Sequence, residues 1–556
     1  MEHTERDIEV DIMAIKWMSL VGVVTAVILF TYHFQHTNAA PTVTSYYVCD
    51  CQPNADGDCV AGSDGNSGTH SAAPWQTYEK ARNHFNSSIS AGDEIRFCQG
   101  GAFDLGASVG RWFSTNCTAA QPCTIADYAA PWASGDESRP ILSKTVDGHA
   151  FDISNGGSAI ADGGYTFQNL DLRCPACTAN GGWGFFLYND VNDVVIDTVS
   201  FDGFAIGIHL AGANACQGGD VSCNGRNDRI TIRNVTIINS FSQGILGGGD
   251  DILIENSTFE NNGNGTIFDH NIYVSSGSRI TIRNNDLYRS SLDGSGNCNG
   301  ASLVGHGVMS DLLIEGNHVR EDVGQANDTC WGIAITPAYG TAESFTNVTI
   351  RGNRVENVGN VAIGTASCHN CIIENNVAIQ NQGFGMIGIA IPAQAPQAGD
   401  AISANLVVRN NSIWTNTGTG IMLNEGSGHT IVSNAIQATG NNAIWNCLDT
   451  TLAASSYTTI DYNVCDFSAG EWANTVGDLL TWQAAGWGSH SIVANPGFVS
   501  GSDLRAGSET AVIVNSGHPS LSSGVEFGGN GRFAQPDVGA YEWLNVEQVL
   551  LPLVVR

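Results

Sequence analysis

Lysine is nearly missing from this chain. Of 556 residues only Lys16, Lys80 and Lys144 are lysines, and charged residues make up 14%. That is poor material for helical bundles, whose surfaces draw on strong, charged helix formers. Positive charge of any kind is scarce: 22 Lys and Arg face 54 Asp and Glu, for a net charge of −32. Such a balance excludes nucleic acid and anionic membrane surfaces as partners. It also tells against a polyanionic substrate, unless cations or local Arg residues offset the field. Long hydrophobic runs are missing too. The one candidate, Trp17 to Tyr32, falls short of the roughly 20 residues a spanning helix needs.

That run is followed by "TNAAP", where Ala40 suits a signal-peptidase cut. The segment before it is acidic, with Lys16 the only charge beside the run. Residues 1–40 are therefore expected to be a signal peptide or an uncleaved signal anchor. A membrane is a partner only in the second case. In both cases the chain is secreted or extracytoplasmic.

What the chain has in quantity is glycine (66) and cysteine (16). Cys117/Cys123, Cys174/Cys177, Cys216/Cys223 and Cys368/Cys371 are close neighbours, and in an oxidising compartment they read as small-loop disulfides. "CPAC" and "CHNC" also have zinc-ligand spacing. The repeat described next sets them about seven coils apart, on the order of 34 Å, too far to share an ion.

Self-similarity decides the architecture. "ITIRNVTI" (from Ile230), "ILIENSTF" (Ile252), "ITIRNNDL" (Ile280), "LLIEGNHV" (Leu312), "VTIRGNRV" (Val348), "CIIENNVA" (Cys371) and "LVVRNNSI" (Leu406) align without gaps. The first and third positions are apolar, the alternation of a half-buried strand. The sixth reads Asn285, Asn317, Asn353, Asn376, Asn411, a residue that tolerates the left-handed turn conformation and can bond the copies above and below. The fourth reads Arg233, Glu255, Arg283, Glu315, Arg351, Glu374, Arg409. Signs that alternate through seven copies imply direct stacking, each Arg lying between two acids.

A second strand family interleaves: "WGFFLY" (Trp183), "IGIHLA" (Ile206), "QGILGG" (Gln243), "HNIYVS" (His270), "WGIAIT" (Trp331), "IGIAIP" (Ile387) and "TGIMLN" (Thr419). At least two strands per turn, stacked in parallel between turns, make an all-β, right-handed parallel β-helix. An N-terminal cap with the first coils is expected over 41–140, the β-helix over 141–470 and a C-terminal capping segment over 471–556.

The repeat resembles the secreted β-helix proteins of the pectate-lyase-like superfamily over nearly all of Tyr46 to Trp543. "SAAPWQTYEKA" with "AGDEIRFCQGGAF" looks like their N-terminal cap, and "NPGFVSGSDLRAGS…PDVGAYEW" like their C-terminal segment. The resemblance implies the fold; it leaves activity open among lyases, hydrolases, epimerases and non-enzymes. "GGGDD" (Asp250, Asp251) and "GHG" (Gly305–Gly307) are similar to motifs of polygalacturonase-type hydrolases. Here they stand two coils apart, and "DD" fills a slot that leads into a strand, so a turn is expected.

Parity of the second strand family turns Phe186, His209, Leu246, Tyr273, Ala334, Ala390, Met422 and Trp445 outward. Beside them runs a column of mostly small residues, Gly184, Gly207, Gly244, Asn271, Gly332, Gly388 and Gly420, which would leave a groove for a sugar chain or allow close backbone packing. Phe186, Tyr188, Asn271, Trp331 and Trp445 are the candidate substrate-binding residues.

The segment "FDHNIYV" adds chemistry. "HNIY" aligned with "HGVM" would stack His270 beside His306. The region is similar to a subgroup of bacterial β-helix proteins with a Gly-His segment ending in Lys-Ser-Arg, where this chain has Met309 and Asp311. "FDHN" is loosely similar to the Asp-Pro-His of alginate-type epimerases. Tyr273, His270, His306, Asp269 and His209 are the candidate catalytic residues, for lyase or epimerase chemistry on a uronate-containing glycan. His and Tyr would supply the base and the acid. Asp269 would orient His270 or hold a cation, Ca2+ being the candidate, while the residues alone establish no cofactor. Strict alternation puts Asp269 and Tyr273 on one face and His270 on the other, so a stacked polar ladder is the competing reading. A non-catalytic carbohydrate-binding or adhesion rod is the competing function.

Overall fold

The computed structural model describes residues 43–543, except 108–109, 155–161, 180, 213–224, 394–398, 417, 439–445, 468–470 and 475–476. Three parallel sheets run along it. The first extends from Ser45–Val48 to Tyr457–Asp461, the second from Ala102–Asp104 to Ile492–Val493, and the third from Phe151–Ser154 to Leu448–Asp449. One coil visits them in turn. Leu253–Glu255 lies in the first sheet, Thr258–Asn262 in the second and His270–Ser278 in the third, and Thr281–Arg283 opens the next coil directly against Leu253–Glu255. The molecule is a right-handed parallel β-helix.

The alternation of the repeat is visible as layers. Ile232, Ile254, Ile282, Ile314, Ile350, Ile373 and Val408 stack in the core, each at most 1% exposed. Between them and the solvent, Arg233 meets Glu255, Glu255 meets Arg283, and so on to Glu374 and Arg409, in the expected register. The ion pairs are nevertheless discrete. Arg233 bonds Asp197 (2.9 Å), while Arg283 bonds Glu255, Arg351 bonds Glu315 and Arg409 bonds Glu374 (2.7 Å each). Each Arg reaches back to the preceding coil instead of bridging both neighbours.

The asparagine column differs from expectation by one position. Left-handed backbone sits at the fifth position, at Asn234, Asn256, Asn284, Asn375 and Asn410, with φ between 52° and 55°. The sixth-position Asn is instead turned into the core as a ladder that continues past Asn411 to Asn434 and Asn463. Asn353 shows the pattern. Its Nδ2 donates to the Ile314 carbonyl (2.9 Å) and to Asn376 Oδ1 (3.0 Å), which also takes the Asn353 backbone N–H (3.0 Å). The fifth residue makes the corner, and the sixth satisfies the backbone groups that the corner leaves without strand partners.

At the N-terminal end the helix Tyr78–Ser88 is capped by Thr77, whose hydroxyl accepts the Lys80 N–H at 3.1 Å. It buries Tyr78, Ala81 and Phe85 against Phe97, Trp112 and Phe151. At the other end the helix Leu479–Ala484 places Trp482 on Tyr457. Ile492–Val493 then pairs with Val464 and Cys465 and closes the second sheet at that end. The residues that follow fold back along the rod, where Leu504 and Ala540 pack on Val377 and Ile379, and Ile513 and Val538 on Ala435 and Val464.

Seven disulfides join described residues. Cys117–Cys123, Cys174–Cys177 and Cys368–Cys371 are the local bridges the spacing implied, so "CPAC" and "CHNC" are not zinc sites. Cys49–Cys98, Cys51–Cys59, Cys298–Cys330 and Cys447–Cys465 complete the set. The bridges fit an oxidising, extracellular setting. Cys216, Cys223 and the proposed signal or anchor over 1–40 lie outside the described residues. No helix among the described residues is long and apolar enough to cross a membrane.

Candidate active site on the third sheet

Two of the expected catalytic residues come together at the start of one strand. His270 opens the strand His270–Ser278, and its ring lies 5.4 Å from that of Tyr273. Strict alternation would separate them. It fails because Asn271 and Ile272 both face inward. Asn271 accepts from Asn262 Nδ2 (2.9 Å) and donates to Ser302 Oγ (3.1 Å), while Ile272 joins the core. Asn271 is thus an internal tie, fully buried, and not a sugar ligand.

The glycine column beside it is internal as well. A Cβ on Gly184 would meet Phe201, on Gly207 Ile237 and on Gly332 Val355, each at 2.5 Å. These glycines exist because the second sheet's large side chains fill the space opposite them. They leave no outer groove.

His306 joins the pair by another route than the expected one. Ser275, not His270, is its neighbour in register, because four strand residues from Ala301 precede "GHG" and a bulge separates Ser275 from Gly277. Its ring still comes to 5.4 Å from Tyr273, as close as that of His270. Tyr339, which sequence reasoning missed, follows at 5.6 Å from His306, and its hydroxyl bonds that of Tyr273. Tyr339 lies in "TPAYGTAE", outside both strand repeats. Its one signal is the repeat interval Leu312 to Val348, the longest of the series.

Both imidazoles have a fixed tautomer. His270 Nδ1 donates to the Ala301 carbonyl (2.7 Å) and His306 Nδ1 to the Thr336 carbonyl (2.5 Å), which leaves Nε2 as the basic nitrogen of each. Burial pushes His270 down to about 4, outweighing the Ala301 bond, and burial also lowers His306. Both are neutral near pH 7. Burial, and then the bond to Tyr339, hold the Tyr273 hydroxyl well above the ordinary tyrosine value, so it stays protonated. Below these rings Ala301, Val304 and Ala334 form a small apolar floor shared by Tyr273 and Trp331.

The other candidates fall elsewhere. Asp269 is buried and holds its own loop, accepting from Ser242 Oγ (2.9 Å) and the Asn264 N–H (3.0 Å). That carboxylate is not presented to a cation, and the Ca2+ expectation finds no support in it. Cys298, Glu321 and Cys330 are the one cluster of metal-ligand types among the described residues, and a disulfide ties both cysteines. Leu246 separates His209 from Tyr273. His209 belongs to an aromatic group with Trp183 (4.8 Å) and Phe186 (5.5 Å), to which His149 and Tyr188 add rings. Burial lowers His209 to about 4, so it is neutral too. Val304 is the partner of Tyr273 on the next coil, and Met309 stands opposite Gly277. Met309 lies in the core, where a lysine would be buried. Asp449 pairs with Met422 in the place assigned to Trp445, which is outside the described residues. Asp250 accepts from the Ser278 N–H (2.7 Å), and Asp251 has φ of 56° and pairs with Arg279. Within "GGGDD", Gly249 and Asp250 pair with Asn227 and Asp228 as a short strand, and the expected turn falls at Asp251.

The sequence matches the right-handed β-helix region family over residues 183–387 and 331–471, together more than half of its length, and the chain belongs to that family. No curated protein matches it. Among solved structures, a lacto-N-biosidase from Eubacterium ramulus is similar over 68% of this chain at 13% identity and a TM-score of 0.42. This chain covers 64% of that enzyme, less than two thirds. The complex of XylC with xylose is similar over 90% of this chain and 98% of its own, at 10% identity and a TM-score of 0.46. The A-module of a mannuronan C-5 epimerase from Azotobacter vinelandii is similar over 81% of this chain and 100% of its own, at 12% identity and a TM-score of 0.37. The likeness is one of fold alone.

Proposed function

We propose that the protein is an exported polysaccharide-active β-helix, whose cluster of His270, Tyr273, His306 and Tyr339 performs lyase or epimerase chemistry on a uronate-containing glycan. The observation that carries this reading is the pairing of opposites at one point. Two imidazoles held neutral, with Nε2 as the basic nitrogen of each, lie 5.4 Å from a tyrosine held protonated. In β-elimination, a histidine Nε2 takes the C5 proton of the uronate, and the electrons of that bond form the C4–C5 double bond. The C4–O4 bond then breaks, and O4 leaves with the Tyr273 proton. An epimerase would remove the same proton and return one to the opposite face of C5. A base and an acid with separated proton affinities serve both reactions.

A second reading, non-catalytic carbohydrate binding, is supported by the aromatic group at Trp183, Phe186 and Tyr188 on the same sheet. It is also supported by the absence, among the described residues, of Lys or Arg from the His–Tyr cluster, which leaves no side-chain cation there for a uronate carboxylate. Incubation with a panel of uronate polymers separates the readings. Unsaturated product, read by its ultraviolet absorbance, marks the lyase, and solvent deuterium at C5 without cleavage marks the epimerase. Tyr273→Phe should fold like the parent and lose 10²–10⁴ in rate, the usual loss on removing a general acid. Full turnover by a folded Tyr273→Phe would remove Tyr273 from the mechanism and leave the binding reading ahead.

A further inference from the structure

The loop 336–343, between Trp331–Ile335 and Ser344–Thr346, assembles the cluster. Its Thr336 carbonyl holds His306, and its Tyr339 hydroxyl meets Tyr273. At the end of the loop Glu343 is 1% exposed, and its carboxylate points back into the loop and across to the preceding coil. It accepts the backbone N–H of Gly307 (2.5 Å), of Ala338 (2.6 Å) and of Tyr339. Gly307 directly follows His306. Its φ is +95°, and a Cβ there would lie 2.3 Å from the Ser276 hydroxyl, so the corner that offers this N–H requires glycine. Glu343 is itself anchored from the far side, its N–H donating to Asp400 Oδ1 at 2.8 Å and its carbonyl accepting from Ala401 at 3.0 Å.

We propose that Glu343 is the positioning residue of this site, joining the coil that carries His306 to the loop that carries Tyr339 and so setting the Tyr339 hydroxyl on Tyr273. The role rests on the functional reading above, but its geometry can be tested without it. The residue type is what the position requires. Three converging N–H groups need a side chain with only acceptors, and a carboxylate offers two oxygens and no donor. An amide of the same size would turn an NH2 group toward one of those N–H groups and displace the loop. A buried carboxylate is kept where hydrogen bonds to it outweigh its desolvation. Here those bonds fall on the residues flanking the reacting groups.

The test reads Tyr273 directly. Its phenolate signal, isolated as the difference from Tyr273→Phe, should stay absent in the parent to the highest pH at which the fold holds. Tyr339→Phe should make it appear at lower pH, because the bond to Tyr339 and the charge interaction with it, which help to hold the proton, are gone. Glu343→Asp, which keeps the negative charge that itself raises Tyr273 but shortens its reach to the three N–H groups, should do the same, and combining it with Tyr339→Phe should move the signal no further. On a polymer the parent turns over, Glu343→Gln should lower kcat on the order of 10²-fold with little change in KM, the effect of displacing a reacting group by about 1 Å. A Tyr273 signal unmoved by Glu343→Asp, or shifts that add when it is combined with Tyr339→Phe, would overturn the proposal. If Glu343→Asp does not fold, Glu343→Gln, which displaces the loop and also removes the charge, should move the signal further than Tyr339→Phe does, and a smaller shift there overturns it equally. A parent inert on every uronate polymer would overturn the functional reading, while the titration still decides the role of Glu343.

Discussion

His270 ties the chemistry of the site to the stability of the fold. Its imidazole is neutral because burial removes the water that would solvate the imidazolium, and this brings it down to about 4 from an ordinary value of 6.5. Between those values the unfolded chain binds a proton that the folded chain refuses. The stabilising contribution is therefore complete above about 6.5 and is lost as the pH falls toward 4, at about 1.4 kcal/mol per unit and about 3 kcal/mol in all. Replacing His270 with Gln, which can still donate to the Ala301 carbonyl, should flatten the fall in Tm between pH 7 and 4.5. An identical fall in both proteins would show that His270 is not desolvated. The same residue shows how far the sequence could be read. The types His, Tyr and Asp drew attention to the right strand, but parity separated His270 from Tyr273 and kept Asp269 as a partner. Parity presumes regular backbone. At the entry of this strand Asn271 is drawn inward by Asn262 and Ser302, and two successive residues face the core. Tyr339 and Glu343 were out of reach because a single loop leaves no periodic trace.

Strands were far more legible, since each is written again on the next coil. The column from Arg233 to Arg409 fixed the stacking register, and each of its pairs lies opposite the expected neighbour. What sign alternation could not give is which neighbour an Arg chooses, because the coils above and below are equally distant, about 4.8 Å. Likewise, repeated Asn announced a turn but not that the fifth residue takes the left-handed conformation while the sixth enters the core. The discrete pairing sharpens the outcome at Arg283. Arg283→Glu removes the bond to Glu255 and sets a new carboxylate between those of Glu255 and Glu315, while Arg351 stays on Glu315. The pair is partly exposed, so the expected cost is a few tenths to about 1 kcal/mol per like-charged neighbour. It should shrink at high salt as screening sets in. A low-salt Tm equal to that of the parent would contradict the stacking.

At the scale of the whole molecule the fold-back of the C-terminal segment matters most, and nothing periodic foretold it. The rod offers it the side chains of its own corners. Asn375 Nδ2 donates to the Val525 carbonyl (2.9 Å) and Asn410 Nδ2 to that of Asp537 (3.1 Å), and the Ser433 carbonyl accepts from Gly539 (2.7 Å). The left-handed residues thus turn the chain and also present polar groups to the segment beside it. One ion pair locks this arrangement. The side chains of Arg532 and Glu542 are each 2% exposed and lie 2.8 Å apart, and Arg532 also donates to Asn375 Oδ1 (2.9 Å) and to the Gly539 carbonyl (2.7 Å). A buried pair of this kind is a weak source of net stability, but breaking it from one side is expensive, about 3–5 kcal/mol, because a charge stays buried without its partner. Arg532→Met should therefore release the segment, seen as fast proteolysis and hydrogen exchange after residue 498, while the Asn285–Asn463 ladder keeps its protection. Adding Glu542→Leu removes the stranded carboxylate and should restore most of the loss. Equal damage in single and double variants would mean that the carbonyls around Arg532, and not the charge of Glu542, hold the segment to the rod.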